Sequence, residues 1–96
     1  MTAFVVASVL VKDSDKFAEY GKLAGASMQP FGGEVAIRGK VSEALAGTAD
    51  HAMSAVIKFP DIAAAKSWYA SDAYQQIIPL REEASDMSLV LHEVPS

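Results

Sequence analysis

A chain of 96 residues has room for one core and not two, so residues 1–96 are expected to form a single domain. It is 51% hydrophobic, carries a formal net charge of −4 and has no cysteine, which excludes a disulfide framework, a thiolate metal site and a cysteine nucleophile. Its 8 Lys and Arg residues are scattered singly, so no basic stripe exists to meet the phosphates of a nucleic acid.

The first apolar run, Ala3 to Val11, is too short to span a bilayer and lacks the basic leader of a signal peptide. A mature, soluble chain is expected, with no membrane partner, and the lack of cysteine suits a reducing cytoplasm. Within that run, Phe4 to Val11 is β-branched and almost continuously apolar, and reads as a strand buried on both faces. Asp13 or Ser14 then caps a helix whose apolar stripe is Phe17, Tyr20, Ala24 and Met28. Gly21 and Gly25 weaken that helix by about 1 kcal/mol each relative to Ala, with close packing as the candidate compensation. Pro30 ends the helix and Gly32-Gly33 supplies a turn.

Glu34 to Lys40 alternates as a second strand, placing Val35 and Ile37 on one side and Ala36 and Arg38 on the other. Val41 to Asp50 reads as a wide connecting loop. Met53, Ala55, Ile57 and Phe59 share one face of a third strand, which Pro60 stops. Asp61 caps a second helix, Ile62 to about Ala70. Ser71 or Asp72 opens a further helical piece, within which Pro79 kinks or ends a turn. Leu89 to Val94 forms a last strand.

This order predicts an α+β fold of β-α-β-β-α-β plan, ferredoxin-like, with a four-stranded antiparallel sheet carrying its helices on one face. The helices can shield only that face. Yet the other parity of strand one is also apolar, and Val56, Val90 and Val94 add to it. Six to eight such side chains, at about 1.5–3 kcal/mol each for full burial, are a large unused driving force. A second copy laid face to face across a two-fold axis, a homodimer, is the expected partner.

Four stretches then carry a family resemblance: Pro30-Phe31-Gly32-Gly33 followed by Ile37-Arg38-Gly39; Leu45-Ala46-Gly47; Val56-Ile57-Lys58-Phe59-Pro60; and Ala65 to Gln75 with Pro79-Leu80-Arg81. Across essentially its whole length the chain resembles the bacterial domain-of-unknown-function family 1330, in the dimeric α/β-barrel superfamily. It departs at Ser14, where a Pro often opens the first helix, and at Lys40, where a second Gly often follows Arg-Gly. The resemblance implies a ferredoxin-like protomer whose sheet pairs with its mate's into a barrel. It implies no particular reaction, since other branches of the superfamily range from cofactor-independent monooxygenases to haem-dependent chlorite dismutases and stress-response proteins.

The chemistry-bearing residues are few. Arg38, a permanently charged fork in mid-strand, is either a clamp for a carboxylate or enolate or an ion-pair partner of Glu34, Glu43 or a dimer mate. His92 in the last strand is either a general base or a structural group. Arg81 stands beside Glu82 and Glu83 as a ligand contact or a salt bridge. Tyr20, Trp68 and Tyr74 are helix-borne aromatics, core packing on the bland reading and pocket walls on the functional one. His51 beside Asp50 reads as a solvated loop residue, and two lone histidines form no metal site. No dinucleotide fingerprint, phosphate loop or hydrolase motif is present, so no cofactor is expected.

Two functions follow. One is a small-molecule pocket in each protomer for an anionic or aromatic metabolite, with Arg38 holding negative charge, His92 or a Tyr moving a proton, and no metal. The other is a non-catalytic dimer serving sensing, stress response or assembly.

Overall fold

The computed structural model describes residues 2–95, with four strands and four α-helices among them. Strand β1 (Ala3–Val11) buries Ala3, Val5, Ala7 and Val9, while Phe4, Val6 and Ser8 on its other side are half-covered and Leu10 is exposed. Helix α1 (Ser14–Met28) starts at Asp13, whose carboxylate accepts from the Lys16 amide at 3.1 Å. It turns Tyr20, Ala24 and Met28 into the core. A 3-10 turn, Gln29–Phe31, follows, and Gly32 at φ 74° reverses the chain. At Gly33 a Cβ would stand 2.6 Å from the Phe59 ring, so only glycine lets the backbone lie on that ring.

Strand β2 (Glu34–Lys40) pairs antiparallel with β3 (Met53–Phe59), but the register slips between Val35 and Ile37, leaving Ala36 as a bulge. The extra residue reverses the alternation. Val35 pairs with Ile57 and Arg38 with Ala55, both on the helix-covered side, while Ile37 pairs with Val56 on the bare side and is 67% exposed. This corrects the expectation that Val35 and Ile37 share a face with Arg38 opposite.

Helix α2 (Ile62–Ala70) is capped by Asp61, whose side chain accepts from the Ala64 amide at 2.7 Å. Ser71 caps the short α3 (Asp72–Gln75), and α4 (Ile78–Ala84) carries Pro79 in its first turn. Pro79 therefore opens a helix and does not break one, because an N–H missing there has no partner to lose. Strand β4 (Ser85–Glu93) starts directly after α4, earlier than its apolar end suggests. The amides of Lys12 and Asp13 donate to the Ala84 carbonyl at 2.8 and 3.1 Å, fastening this junction to the end of β1.

The sheet order is β2-β3-β1-β4, antiparallel throughout, the ferredoxin-like arrangement. The core lies between sheet and helices: Val5, Ile57 and Phe59 below, Tyr20, Ala24, Met28, Ala65, Trp68 and Tyr74 above. Among the described residues nothing covers the opposite side. Its cross-strand rows are Glu34–Lys58–Phe4–His92, then Ile37–Val56–Val6–Val90, then Gly39–Ser54–Ser8–Ser88. An apolar row thus runs between a charged and aromatic row and a row of small residues. The protomer is a slab of 32 × 32 × 16 Å. It exposes 6086 Å², against roughly 5,300 Å² expected of a compact monomer of its mass.

Candidate small-molecule site

A cavity of about 160 Å³ lies between α1 and the inner side of the sheet. Phe17, Tyr20, Met28, Met53, Trp68 and Met87 form much of its wall, and among the described residues Arg38 is the one charged group on its lining. The bulge at Ala36 is what aims Arg38 here. A cavity of about 150 Å³ with apolar walls holds a benzene ring, which sets the scale of an occupant.

Gly21 and Gly25, one turn apart on α1, also line this space. A Cβ built on either meets nothing within 4 Å. Close packing is therefore not the compensation for two helix-weakening residues. What they do is leave the helix side of the cavity open.

Behind the cavity a polar chain crosses the core. The Arg81 Nη1 donates to the Tyr74 hydroxyl at 3.0 Å and to the Tyr69 hydroxyl at 3.4 Å, and Nη2 pairs with Glu82 at 3.0 Å. The Tyr74 and Tyr20 hydroxyls lie 2.8 Å apart, and the Tyr20 hydroxyl reaches the Met87 sulfur at 3.8 Å. The direction of this chain follows from counting protons. Tyr74 already accepts from Arg81 and, among the described residues, has only the Tyr20 oxygen to donate to, so the Tyr20 proton points at the sulfur, a weak acceptor. Burial first, and then the Tyr74 dipole and hydrogen bond, raise the Tyr20 pKa far above its ordinary value and keep the phenol neutral. For Arg81, burial opposes the charge, but the hydrogen bonds to Tyr69, Tyr74 and Glu82 outweigh it and its pKa is raised.

Trp68 divides this cavity from a second, of about 340 Å³, lined by Val5, Lys66, Tyr69, Arg81 and Leu91 among others. Its ring is fixed: Nε1 donates to the Ser27 hydroxyl at 3.0 Å, which donates to the Ala24 carbonyl at 2.7 Å.

The residues singled out by sequence are thus partly gathered. Arg38, Tyr20 and Trp68 share the first cavity, and Trp68 and Arg81 share the second. Tyr74 is fully buried and lines neither, acting instead as the link between Tyr20 and Arg81. Arg81 makes the salt bridge to Glu82, whereas Arg38 has none with Glu34 or Glu43. His92 lies on the bare side of the sheet, stacked on Phe4 at 4.8 Å between ring centroids, with Nδ1 3.0 Å from the Val90 carbonyl. The sheet itself separates it from Arg38, so within one protomer the two cannot act on one molecule. His51 is not simply solvated: Nε2 lies 3.5 Å from Asp86 Oδ2. Among the described residues no three His, Asp or Glu side chains form a metal-binding group, and no helix is long and apolar enough to cross a membrane. Sequence reasoning singled out Gly21 and Gly25 but gave them close packing, because a glycine pair spaced i, i+4 beside an apolar stripe does not tell close packing from open space.

The sequence pattern of a family described as a domain of unknown function (DUF1330) matches residues 2–94. The chain belongs to the DUF1330 family. No protein with a curated description matches this DUF1330 chain in sequence. Among solved structures it is similar to a protein of unknown function from Rhodopseudomonas palustris, at 18% identity and TM-score 0.83, covering 99% of this chain and 83% of that one. It is similar as well to a dimeric ferredoxin-like protein of unknown function from Jannaschia sp. CCS1, at 12% identity and TM-score 0.77, covering 98% and 100%. SnoaB, a cofactor-independent oxygenase from Streptomyces nogalater, is similar at 12% identity and TM-score 0.71, covering 99% and 94%. At such identities the likeness is one of fold.

Proposed function

We propose that this DUF1330 protein is a homodimer in which each protomer binds a compact, ring-sized molecule bearing an anionic oxygen, with the cavity beneath α1 as its site. The observation that carries this reading is the conjunction of Gly21 and Gly25, which keep the cavity open without touching anything, with Arg38, which a bulge turns onto its lining. The ring lies among Phe17, Met28, Met53 and Trp68, and the guanidinium of Arg38, in place of a metal, meets a carboxylate, phenolate or enolate. Tyr20 offers a second contact, since an oxygen entering near Met87 is a better acceptor for its proton than sulfur. Holding an enolate in a dry pocket is a recognised way to favour chemistry at the adjacent carbon. SnoaB supports the reading only as an instance of cofactor-independent chemistry on this fold.

The dimer forms through the bare side of the sheet. The chain exposes more surface than a compact monomer of its mass, and Ile37 and Val90 on this side are among its exposed large hydrophobics. The apolar row Ile37–Val56–Val6–Val90 supplies the driving force, and the Jannaschia neighbour is itself dimeric.

Titration with benzoate tests the site. Binding raises the thermal midpoint by mass action. Arg38→Gln weakens it about tenfold or more, the worth of a hydrogen bond to a charged group. Benzoate affinity unchanged by Arg38→Gln and by Gly25→Val together refutes the proposal.

A further inference from the structure

The second cavity lies on the far side of Trp68, beneath α2 and α4 and above β1 and β4. Its floor is hydrocarbon, from Val5, Leu89 and Leu91, and two cations stand over it, Arg81 and Lys66. A guanidinium has five N–H donors. Three of those on Arg81 are committed, to Tyr74, Tyr69 and Glu82, and among the described residues the Nε–H and one Nη2–H have no protein partner. Among the described residues no buried side-chain nitrogen or oxygen lacks a hydrogen bond, so the Nε atom, which has no protein partner, is not sealed from solvent, and Arg81 stands on the cavity lining. The Arg81 side chain is only 12% exposed, and the tyrosines hold it from behind. A fork held this way, with two donors left, suits the two oxygens of one carboxylate. A volume of about 340 Å³ reaches the size of small-molecule pockets, about 300–1,000 Å³, and the apolar floor calls for a hydrocarbon body behind the charge.

We infer that this cavity is a second binding site, separate from the one beneath α1, for a monocarboxylate with a slim hydrocarbon body, gripped by Arg81 with Lys66 at its mouth. It depends on neither Arg38 nor the two glycines. Trp68, Met87 and Leu89 line both cavities, which makes the two sites neighbours.

Octanoate and its neutral counterpart 1-octanol are the probes, titrated into the ¹⁵N-labelled full chain. Octanoate binds at least tenfold more tightly than 1-octanol and shifts the Arg81 Nε–H resonance. Lys66→Glu, a change at an exposed position that leaves the fold intact, weakens octanoate fivefold or more. Leu91→Phe, which fills the floor, does the same. Arg38→Gln and Gly25→Val leave octanoate affinity unchanged. Equal binding of octanoate and 1-octanol, no binding of either, weakening by Arg38→Gln, or indifference to Lys66→Glu overturns the inference. If benzoate itself fails to bind, the proposed function fails while this result stands, so the two are separable.

Discussion

Replacing Gly21 and Gly25 by alanine, singly and together, separates a cavity kept open from a helix packed closely. Each Gly→Ala change in a helix interior is worth about 0.8–1.0 kcal/mol of propensity, and neither new Cβ meets an atom within 4 Å. The double variant should therefore gain about 1.5–2 kcal/mol, less whatever coupling two residues one turn apart introduce. For a domain of this size that is an upward shift of roughly 6–15 °C in thermal midpoint. Calorimetry at one fixed protein concentration measures it, since a dimer's midpoint moves with concentration. The same two methyl groups intrude on a space of about 160 Å³, so benzoate affinity falls as stability rises. This is the trade expected where a site is held open against the preference of its own helix. Loss of stability in the double variant refutes the reasoning, because it means something does approach these glycines. A gain in stability with unchanged benzoate affinity refutes the functional half alone.

Tyr74→Phe removes the hydroxyl that accepts from Arg81 and donates to Tyr20, and should lower stability by about 1–3 kcal/mol in urea denaturation; no change shows the chain to be idle. Tyr20 also sets an alkaline limit. Its pKa is raised in the folded state, so above an ordinary value near 10 the unfolded chain releases a proton that the folded chain keeps. Its contribution is complete below pH 10 and is lost as pH rises, so stability should fall with pH there, less steeply in Tyr20→Phe. Val56→Asp, in the apolar row of the bare face, should halve the mass seen by sedimentation from that of a dimer to that of a 10.2 kDa protomer, because an unpaired charge in an interface is strongly unfavourable. A wild-type chain that sediments at 10.2 kDa removes the homodimer from the account.

Most of the architecture was legible because each element announces itself locally. Asp13, Asp61 and Ser71 each accept the amide hydrogen bond expected of a cap, and β3 ends at Phe59 because Pro60 follows. The site was harder to read for a physical reason. Alternation in Val35-Ala36-Ile37-Arg38 is the same with or without a bulge, and it is pairing with β3 that decides which side Arg38 takes. His92 could be placed on its strand, but only the register of β4 against β1 fixes it beside Phe4 and away from the cavity. Likewise Pro79 carries opposite meanings within a helix and at its first turn, and the break at Gln76 and Ile77 that makes it the latter has no strong sequence mark.

Labelling the methionine methyls with ¹³C gives the most direct test of the site, because Met28, Met53 and Met87 all line the cavity beneath α1. With benzoate bound, nuclear Overhauser contacts should run from the ring protons to these three methyls and vanish in Gly25→Val. Saturating benzoate that leaves all three untouched contradicts the central claim.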